Sequence, residues 1–424
     1  MRTGPVSRGL NRLPFVSRSR AADVLRSSVW LVPAMCVAGA VAVAVALIVV
    51  DADLRPSGGG LLFPGPPSGA RSFLSAIVQA MIAFTAVVFS ITVVILQLSS
   101  SQYSPRVLRR FLRDRLIQSS LGVFVATFTY AMVVLRAVKG GSGGAGFVPR
   151  VAVTGAFVLV LASVGLFVAY IGHVVNMIRV ATIIAGIGAD TRASLAARPA
   201  GRAAPDTDAD PAWSGTVRAP RPGVLVSVSA KRLVSVAAEQ GCLLRLAVRI
   251  GDFLPEGGAL FEVYGAPGLC TPEAAAAAPG WHVALCRHVA FDTERTMEQD
   301  AAFGFRQLAD IALQGLSPAV NAPTTAVQAL DQMHDLLRRV VAEPDPGGCH
   351  RDDEGALRLV VPQYRVDDYL QLAVEEIWHY GRDSPQIPGR VERMLDDLQS
   401  VARPEHRQAV EEWQDRIREP GPGR

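Results

Sequence analysis

Residues 71–115 read RSFLSAIVQAMIAFTAVVFSITVVILQLSSSQYSPRVLRRFLRDR, and this stretch decides the architecture of the chain. No charged residue occurs between Ser72 and Pro105, a run longer than the roughly 20 apolar residues that cross a bilayer as a helix. Closely spaced arginines follow, here called the collar: Arg106, Arg109, Arg110 and Arg113. The stretch therefore predicts a membrane-spanning helix whose basic end lies in the cytosol.

The predicted span carries one narrow polar face. Gln79, Ser90 and Gln97 lie on the same side of the helix, together with Ala83 and Ala86. Because amide and hydroxyl groups in hydrocarbon need hydrogen-bond partners, we expect this face to meet another helix or water. It either packs on a neighbouring helix through small and polar residues, or lines a polar conduit.

Two roles fit the collar. It follows Ser104-Pro105, a pair typical of the start of a helix, and its arginines oppose apolar residues at helical spacing. Such a helix can lie in the headgroup layer with its arginines on lipid phosphates, which makes anionic membrane lipids the expected partners. Alternatively, the collar only orients the span. Charge gathered beside membrane spans does not suit nucleic-acid binding.

Further uncharged runs complete the membrane domain, which covers residues 27–178. A basic arm at 1–26 and the collar hold more Arg and Lys than the Gly-rich loops, so both termini should be cytosolic. This pattern predicts a multi-pass plasma-membrane protein, and we expect it to be a homo-oligomer. The predicted spans cover about residues 28–50, 73–98, 116–136 and 151–175.

The fourth span ends with His173 and Asn176. A histidine at this position could titrate or bind an ion. The simpler interpretation is a hydrogen-bonded residue at a helix interface.

The chain beyond the spans predicts a cytosolic α+β region. Residues 179–222 are dense in Ala, Pro, Arg and Asp and indicate a linker. Residues 223–291 predict a small β-rich module, in which WHVALCRHVAF at 281–291 is expected to be a strand. Residues 292–424 predict a helical domain whose strongest helix covers 292–315.

One unit of the β-rich module, at 242–265, resembles half of a biotinyl/lipoyl-type barrel. The match consists of apolar positions around a Gly251-Asp252 turn and Gly257. The modified lysine of that family lies between methionines, whereas Lys231 follows Ala230 and precedes Arg232. We therefore expect no attached cofactor.

The helical domain begins with a cluster of polar residues. Its members are Arg295, Gln299, Asp300, Arg306, Asp310 and Asn321. One interpretation is a hydrogen-bonded junction that fixes a helical hairpin around Ser317-Pro318. The other is a pocket for a small anion or nucleotide, with the guanidinium groups of Arg295 and Arg306 as its ligands.

Motifs of known catalytic sites do not occur in the chain. The sequence contains no Walker-type G-x-x-x-x-G-K, H-E-x-x-H, G-x-S-x-G or dinucleotide fingerprint. Its five cysteines form no C-x-x-C pair, which argues against a zinc ribbon and suits a reducing compartment. We therefore expect no enzymatic activity, cofactor or metal site.

Two long segments of the chain resemble a bacterial family of predicted membrane proteins, domain of unknown function 2254. They are VFSITVVILQLSSSQYSPRVLRRFLRDR and ERTMEQDAAFGFRQLADIALQGLSPAVNAPTTA. The chain departs from that family at Ala322, where the family has Asp, and at Gly172-His173, where it often has two histidines. The resemblance implies the topology and assigns no activity.

Three functions therefore remain open at this level. The first is an oligomeric membrane protein with a channel-like or transport conduit along the second span, regulated by its cytosolic domain. The second is a membrane-anchored scaffold that binds a ligand or protein without conduction. The third is a membrane-bound enzyme, for which the sequence offers no motif.

Overall fold

The computed structural model describes residues 31–54, 62–102, 114–139, 147–177, 179–198, 213–265 and 279–419. The chain divides into two compact units, an N-terminal unit up to Ile178 and a C-terminal unit from Arg179.

In the described part of the N-terminal unit, four helices are long and apolar enough to cross a membrane. The third packs against each of the other three and is the most buried of them. These helices are α1 (Leu31–Leu54), α2 (Pro67–Gln102), α3 (Arg115–Ala137) and α4 (Arg150–Met177). The four predicted apolar helices are thus confirmed, although α2 is longer than the segment expected for the second span.

Polar and apolar layers alternate inside this unit. Thr127 of α3 and Ser163 of α4 are joined by hydroxyl groups 3.0 Å apart. Further along α4, the Tyr170 hydroxyl lies 3.2 Å from Thr92 of α2. Between these contacts an apolar layer is formed by the rings of Phe84, Phe124 and Phe167, whose centroids lie 4.9–6.4 Å apart. Hydroxyl pairs of this kind hold helices together where no water can satisfy them.

The predicted linker at 179–222 is wrong over much of its length. It contains a helix, α5 (Val180–Ala196), and a strand, β1 (Trp213–Arg218). The helix forms because Ile184, Ile187 and Leu195 give it an apolar face that is buried in the core of the C-terminal unit. This helical periodicity was missed because the segment was judged by its composition, and Ala, Arg and Asp are also abundant in flexible segments.

The β-rich part of the C-terminal unit forms two small sheets. Besides β1, the strands are β2 (Gly223–Val228), β3 (Leu243–Leu246), β4 (Phe253–Leu254), β5 (Ala259–Tyr264), β6 (Val289–Asp292), β7 (Cys349–Arg351) and β8 (Leu357–Val360). The larger sheet has the order β1-β5-β3-β8-β7 and the smaller β4-β2-β6. Because β8 pairs in parallel with β3, the sheet does not end at residue 291 as predicted.

The helices of this unit are α6 (Ala230–Glu239), α7 (Pro279–Cys286), α8 (Ala301–Leu316), α9 (Pro323–Ala342), α10 (Val366–Gly381), α11 (Ile387–Val401) and α12 (Pro404–Arg418). The hairpin of α8 and α9 and the three tail helices match the prediction. Residues 281–291 are not one strand, because Trp281 and Leu285 are buried one helical turn apart on α7. The helix predicted from residue 292 begins only at Ala301.

Candidate functional site

Asp300 is the centre of the polar cluster that the sequence singled out. Its carboxylate caps α8 by accepting a hydrogen bond from the Phe303 N–H at 3.1 Å. Its Oδ2 atom lies 2.8 Å from both Nε and Nη2 of Arg295, and the Nε contact has hydrogen-bond geometry. The side chain is 1% exposed. Burial raises the pKa of Asp300 above its usual range, while Arg295 and the Phe303 N–H oppose that shift.

The Gly251-Asp252 turn lies directly against this ion pair. Gly251 has a φ of 101°, and its N–H donates to the Leu225 carbonyl at 2.8 Å. A Cβ atom at this position would lie 2.3 Å from Oδ2 of Asp300 and 2.9 Å from Nε of Arg295. Glycine is therefore required by both backbone conformation and space.

Gln299 attaches the loop before α8 to the smaller sheet. Its side-chain amide accepts from the Val228 N–H at 3.0 Å and donates to the Val228 carbonyl at 3.3 Å. The side chain thus satisfies both backbone groups of Val228 at the end of β2, as a neighbouring strand would.

Three guanidinium groups stack on aromatic rings around the same loop. Arg198, Arg249 and Arg295 lie 4.7, 4.8 and 5.3 Å from the ring centroids of Tyr369, Tyr364 and Phe303, respectively. Arg249 also binds the Asp368 carboxylate at 2.9 Å, and Arg198 donates to the Tyr369 hydroxyl. Burial raises the pKa of Tyr364. We call these groups, with Asp300, Gly251 and Gln299, the junction site.

Other members of the predicted cluster have different partners. Arg306 of α8 binds Glu376 of α10 through two contacts of 2.5 and 3.0 Å, and it binds Asp310 on its own helix at 2.8 Å. The hydrogen bond from Arg306 lowers the pKa of Glu376. Asn321 is exposed in the hairpin turn with a φ of 46°. Since Arg295 and Arg306 are each bound to a carboxylate of this chain, a pocket for a free anion gains no support.

The junction site also contains residues that sequence reasoning missed. Arg198 lies in the segment predicted to be a linker. In the sequence, Tyr369 is simply one of the apolar positions of a predicted amphipathic helix. No local pattern indicates that they meet, because 171 residues separate them. The Gly251-Asp252 turn was predicted, although not its contact with Asp300.

The polar face of α2 lies on the outside of the N-terminal unit. Gln79, Ala83, Ala86 and Ser90 are all exposed in the single chain. Gln97 belongs to the same helix, but its side chain lies outside the described residues. The collar at 106–113 also lies outside them.

The histidine at the end of α4 binds a carboxylate. His173 Nε2 lies 3.0 Å from Oδ2 of Asp114, whose other oxygen accepts from the N–H groups of Leu116 and Ile117 at 2.9 and 3.1 Å. Asn176 is exposed. In the described part of the chain, no group of three or more His, Cys, Asp or Glu side chains is placed to hold a metal ion.

A family model described as "Predicted membrane protein (DUF2254)" matches residues 26–397. Uncharacterised proteins of Mycobacterium bovis and Mycobacterium tuberculosis are each 31% identical over 406 residues, which is 93% of this chain and 76% of theirs. No solved structure matches.

Proposed function

This chain belongs to the DUF2254 family of predicted membrane proteins, and from that premise we propose that it is an oligomeric protein of the bacterial plasma membrane. Its four apolar helices cross the membrane, with both termini in the cytosol. Copies associate through the polar face of α2, and the C-terminal unit serves as a cytosolic binding or regulatory domain. Anionic lipids contact the collar.

The exposure of Gln79 and Ser90 on α2 carries the proposal. These side chains lie within an apolar helix, yet none of the other helices that the structure describes covers them. Placing a side-chain amide in hydrocarbon without a hydrogen-bond partner costs on the order of several kcal/mol of free energy. A second copy would supply partners, and the exposed Ala83 and Ala86 between them would allow close approach of two helices.

A water-filled path between copies is the second candidate. Gln79 and Gln97 are eighteen residues apart, which is about 27 Å along a helix and close to the roughly 30 Å of the hydrocarbon core. Among the described residues, the Phe84, Phe124 and Phe167 rings pack together inside the four-helix unit, which disfavours such a route within one copy. A conduit would therefore run along the α2 faces of several copies. Without conduction, the same assembly would be a membrane-anchored scaffold.

Single cysteines test the assembly in a background that lacks the five native cysteines. Gln79→Cys and Ser90→Cys should form cross-linked dimers in native membranes when an oxidant is added. Val158→Cys is the matched control, because Val158 is a lipid-accessible apolar residue of α4 that is 58% exposed. Equal cross-linking at all three positions, or none at Gln79 and Ser90, would reject the interface.

Water-soluble thiol reagents separate the two forms of the oligomer. Slow labelling of the Gln79 and Ser90 cysteines would favour a dry interface. Fast labelling, with loss of solute flux in liposomes after a bulky adduct, would favour the conduit. A reporter fused at Gly60 or Gly143 should lie outside, and one at Arg424 in the cytosol. A cytosolic signal at Gly60 would contradict the four-span topology.

A further inference from the structure

A group of basic side chains lies at one end of the smaller sheet. There β2 leads into α6, and its antiparallel neighbour β6 follows α7. The Ser229 N–H donates to the His288 carbonyl at 2.8 Å, which holds the start of α6 beside the end of α7. Lys231 and Arg232 in the first turn of α6 therefore lie at the same end of the sheet as Arg287, which directly follows α7.

These cations have no anionic partner among the described residues. None of the ion pairs and side-chain hydrogen bonds formed there involves the charged groups of Lys231, Arg232 or Arg287, and all three residues are exposed. Arg249 and Arg295 of the junction site, by contrast, each bind an aspartate. Positive charges held together without a counter-ion repel one another, and a bound anion would turn that repulsion into attraction.

His288 shows that these charges act at one place. Burial lowers the pKa of its imidazole, and the positive charges of Arg232 and Arg287 lower it further. The two guanidinium groups belong to different segments of the chain, yet both act on the same ring. The field that disfavours a protonated imidazole here favours a negatively charged ligand.

The start of α6 adds to this positive field. Its first turn carries Lys231 and Arg232 and its last turn Glu239, which is the reverse of the order that the helix dipole favours. The side chain of Ser229, the N-cap residue, accepts no hydrogen bond from the first-turn N–H groups. An anion bound at this end would interact favourably with both the cations and these N–H groups.

We propose that Lys231, Arg232 and Arg287 form a binding site for a phosphate group. The N–H groups at the start of α6 and the Ser229 hydroxyl are its further donors. A phosphate group presents several strong acceptor oxygens around one centre, which suits donors that converge from two segments. It belongs either to a small soluble molecule or to a lipid headgroup. The site deepens the binding role proposed for the C-terminal unit and rests on it only for its cytosolic location.

Hydrogen exchange of the full-length protein tests the site. Inorganic phosphate is added to protein in nanodiscs of zwitterionic phosphatidylcholine, and a second sample without phosphate contains phosphatidylglycerol. A bound phosphate group should slow exchange of the amides at the start of α6, because they gain an acceptor. Arg232→Gln/Arg287→Gln should weaken phosphate binding roughly tenfold or more, since two charge-assisted contacts are lost.

A matched control removes two other positive charges. Arg393→Gln/Arg416→Gln replaces exposed arginines of α11 and α12 and should keep the protection of wild type. Protection by inorganic phosphate would identify a soluble ligand, and protection only with phosphatidylglycerol would identify a lipid headgroup. No protection in either sample would overturn the site. Protection that is unchanged in the site variant, or lost equally in the control variant, would overturn it as well.

A stability measurement excludes misfolding as the cause of lost binding. Arg232→Gln removes a cation that opposes the dipole of α6, so without phosphate this variant should unfold at the same temperature as wild type or higher. It should nevertheless lose most of the stabilisation by phosphate, whereas a lower unfolding temperature would contradict the unpaired state of Arg232. The cross-linking at Gln79 and Ser90 is independent: its failure would reject the oligomer and leave the phosphate response unchanged.

Discussion

The Asp51 carboxylate accepts a hydrogen bond from the backbone N–H of Ala152, with Oδ2 and the nitrogen 3.0 Å apart, although 101 residues separate the two. Its Oδ1 atom accepts from the Val151 N–H at the same distance. Asp51 is 3% exposed. The last part of α1 thus satisfies free N–H groups at the start of α4, which fixes these two helices to each other at this end.

Replacing this cap should weaken the N-terminal unit. Asp51→Ala leaves two N–H groups without a partner, and we expect it to lower the free energy of unfolding by about 1–3 kcal/mol. Asp53→Ala is the control, because Asp53 is exposed two residues later. Thermal unfolding of the full chain in nanodiscs measures the difference. Equal effects of the two substitutions would show that the cap contributes little.

The contact between α5 and α8 depends on a glycine. A Cβ atom on Gly304 would lie 1.8 Å from Oγ1 and 2.8 Å from Cβ of Thr191. Gly304→Ala should therefore destabilise the C-terminal unit by about 1–3 kcal/mol or more, as overpacking does. Adding Thr191→Ala should recover part of that loss.

Denaturant unfolding of the full chain checks this prediction. Gly389→Ala is the matched control in α11, where the added Cβ would meet only Arg393 at 3.5 Å. Higher helix propensity should make that variant neutral or more stable by up to about 1 kcal/mol. A Gly304→Ala protein as stable as the wild type would mean that α5 does not pack as described.

Acid should weaken the bond between α8 and α10. The hydrogen bond from Arg306 lowers the pKa of Glu376 in the folded chain. Because a carboxyl with a lowered folded pKa stabilises the fold above its unfolded value, this contribution is present above about pH 4.5 and is lost as the pH falls further. The side chain is 44% exposed, so solvent screening keeps the effect below about 1 kcal/mol.

Glu376→Gln should show a smaller loss of stability than the wild type between about pH 6 and pH 3.5, as measured by urea unfolding of the full chain. Glu392→Gln serves as control, since Glu392 is exposed on α11. An identical acid profile in wild type and Glu376→Gln would contradict the assignment.

The collar should bind anionic lipid. Changing Arg106, Arg109, Arg110 and Arg113 to Gln should reduce the stabilisation that phosphatidylglycerol gives the protein, since each arginine near an anionic surface contributes about 1 kcal/mol. Unfolding temperatures in nanodiscs with and without phosphatidylglycerol give the measure. A correctly inserted variant with unchanged lipid dependence would leave the collar only its role in orientation.

The sequence by itself determined the features that depend on local periodicity. The uncharged run after Ser72 is sufficient to specify an apolar helix of membrane-spanning length, because its length and apolar composition match the hydrocarbon core of a bilayer. The hairpin of α8 and α9 and the tail helices could also be predicted, because their apolar residues recur at the helical period. The Gly251-Asp252 turn followed from its residues alone.

Only the tertiary structure decided which distant residues meet. Arg198 lies beside Tyr369, Asp114 beside His173 and Asp51 beside Ala152, and no sequence period relates such pairs. The strand β8 pairs with β3 although more than a hundred residues separate them, so the β-rich module extends beyond the predicted boundary at residue 291. The exposure of Gln79 is likewise a property of packing: periodicity gives the face of a helix, whereas the surrounding helices decide what that face contacts.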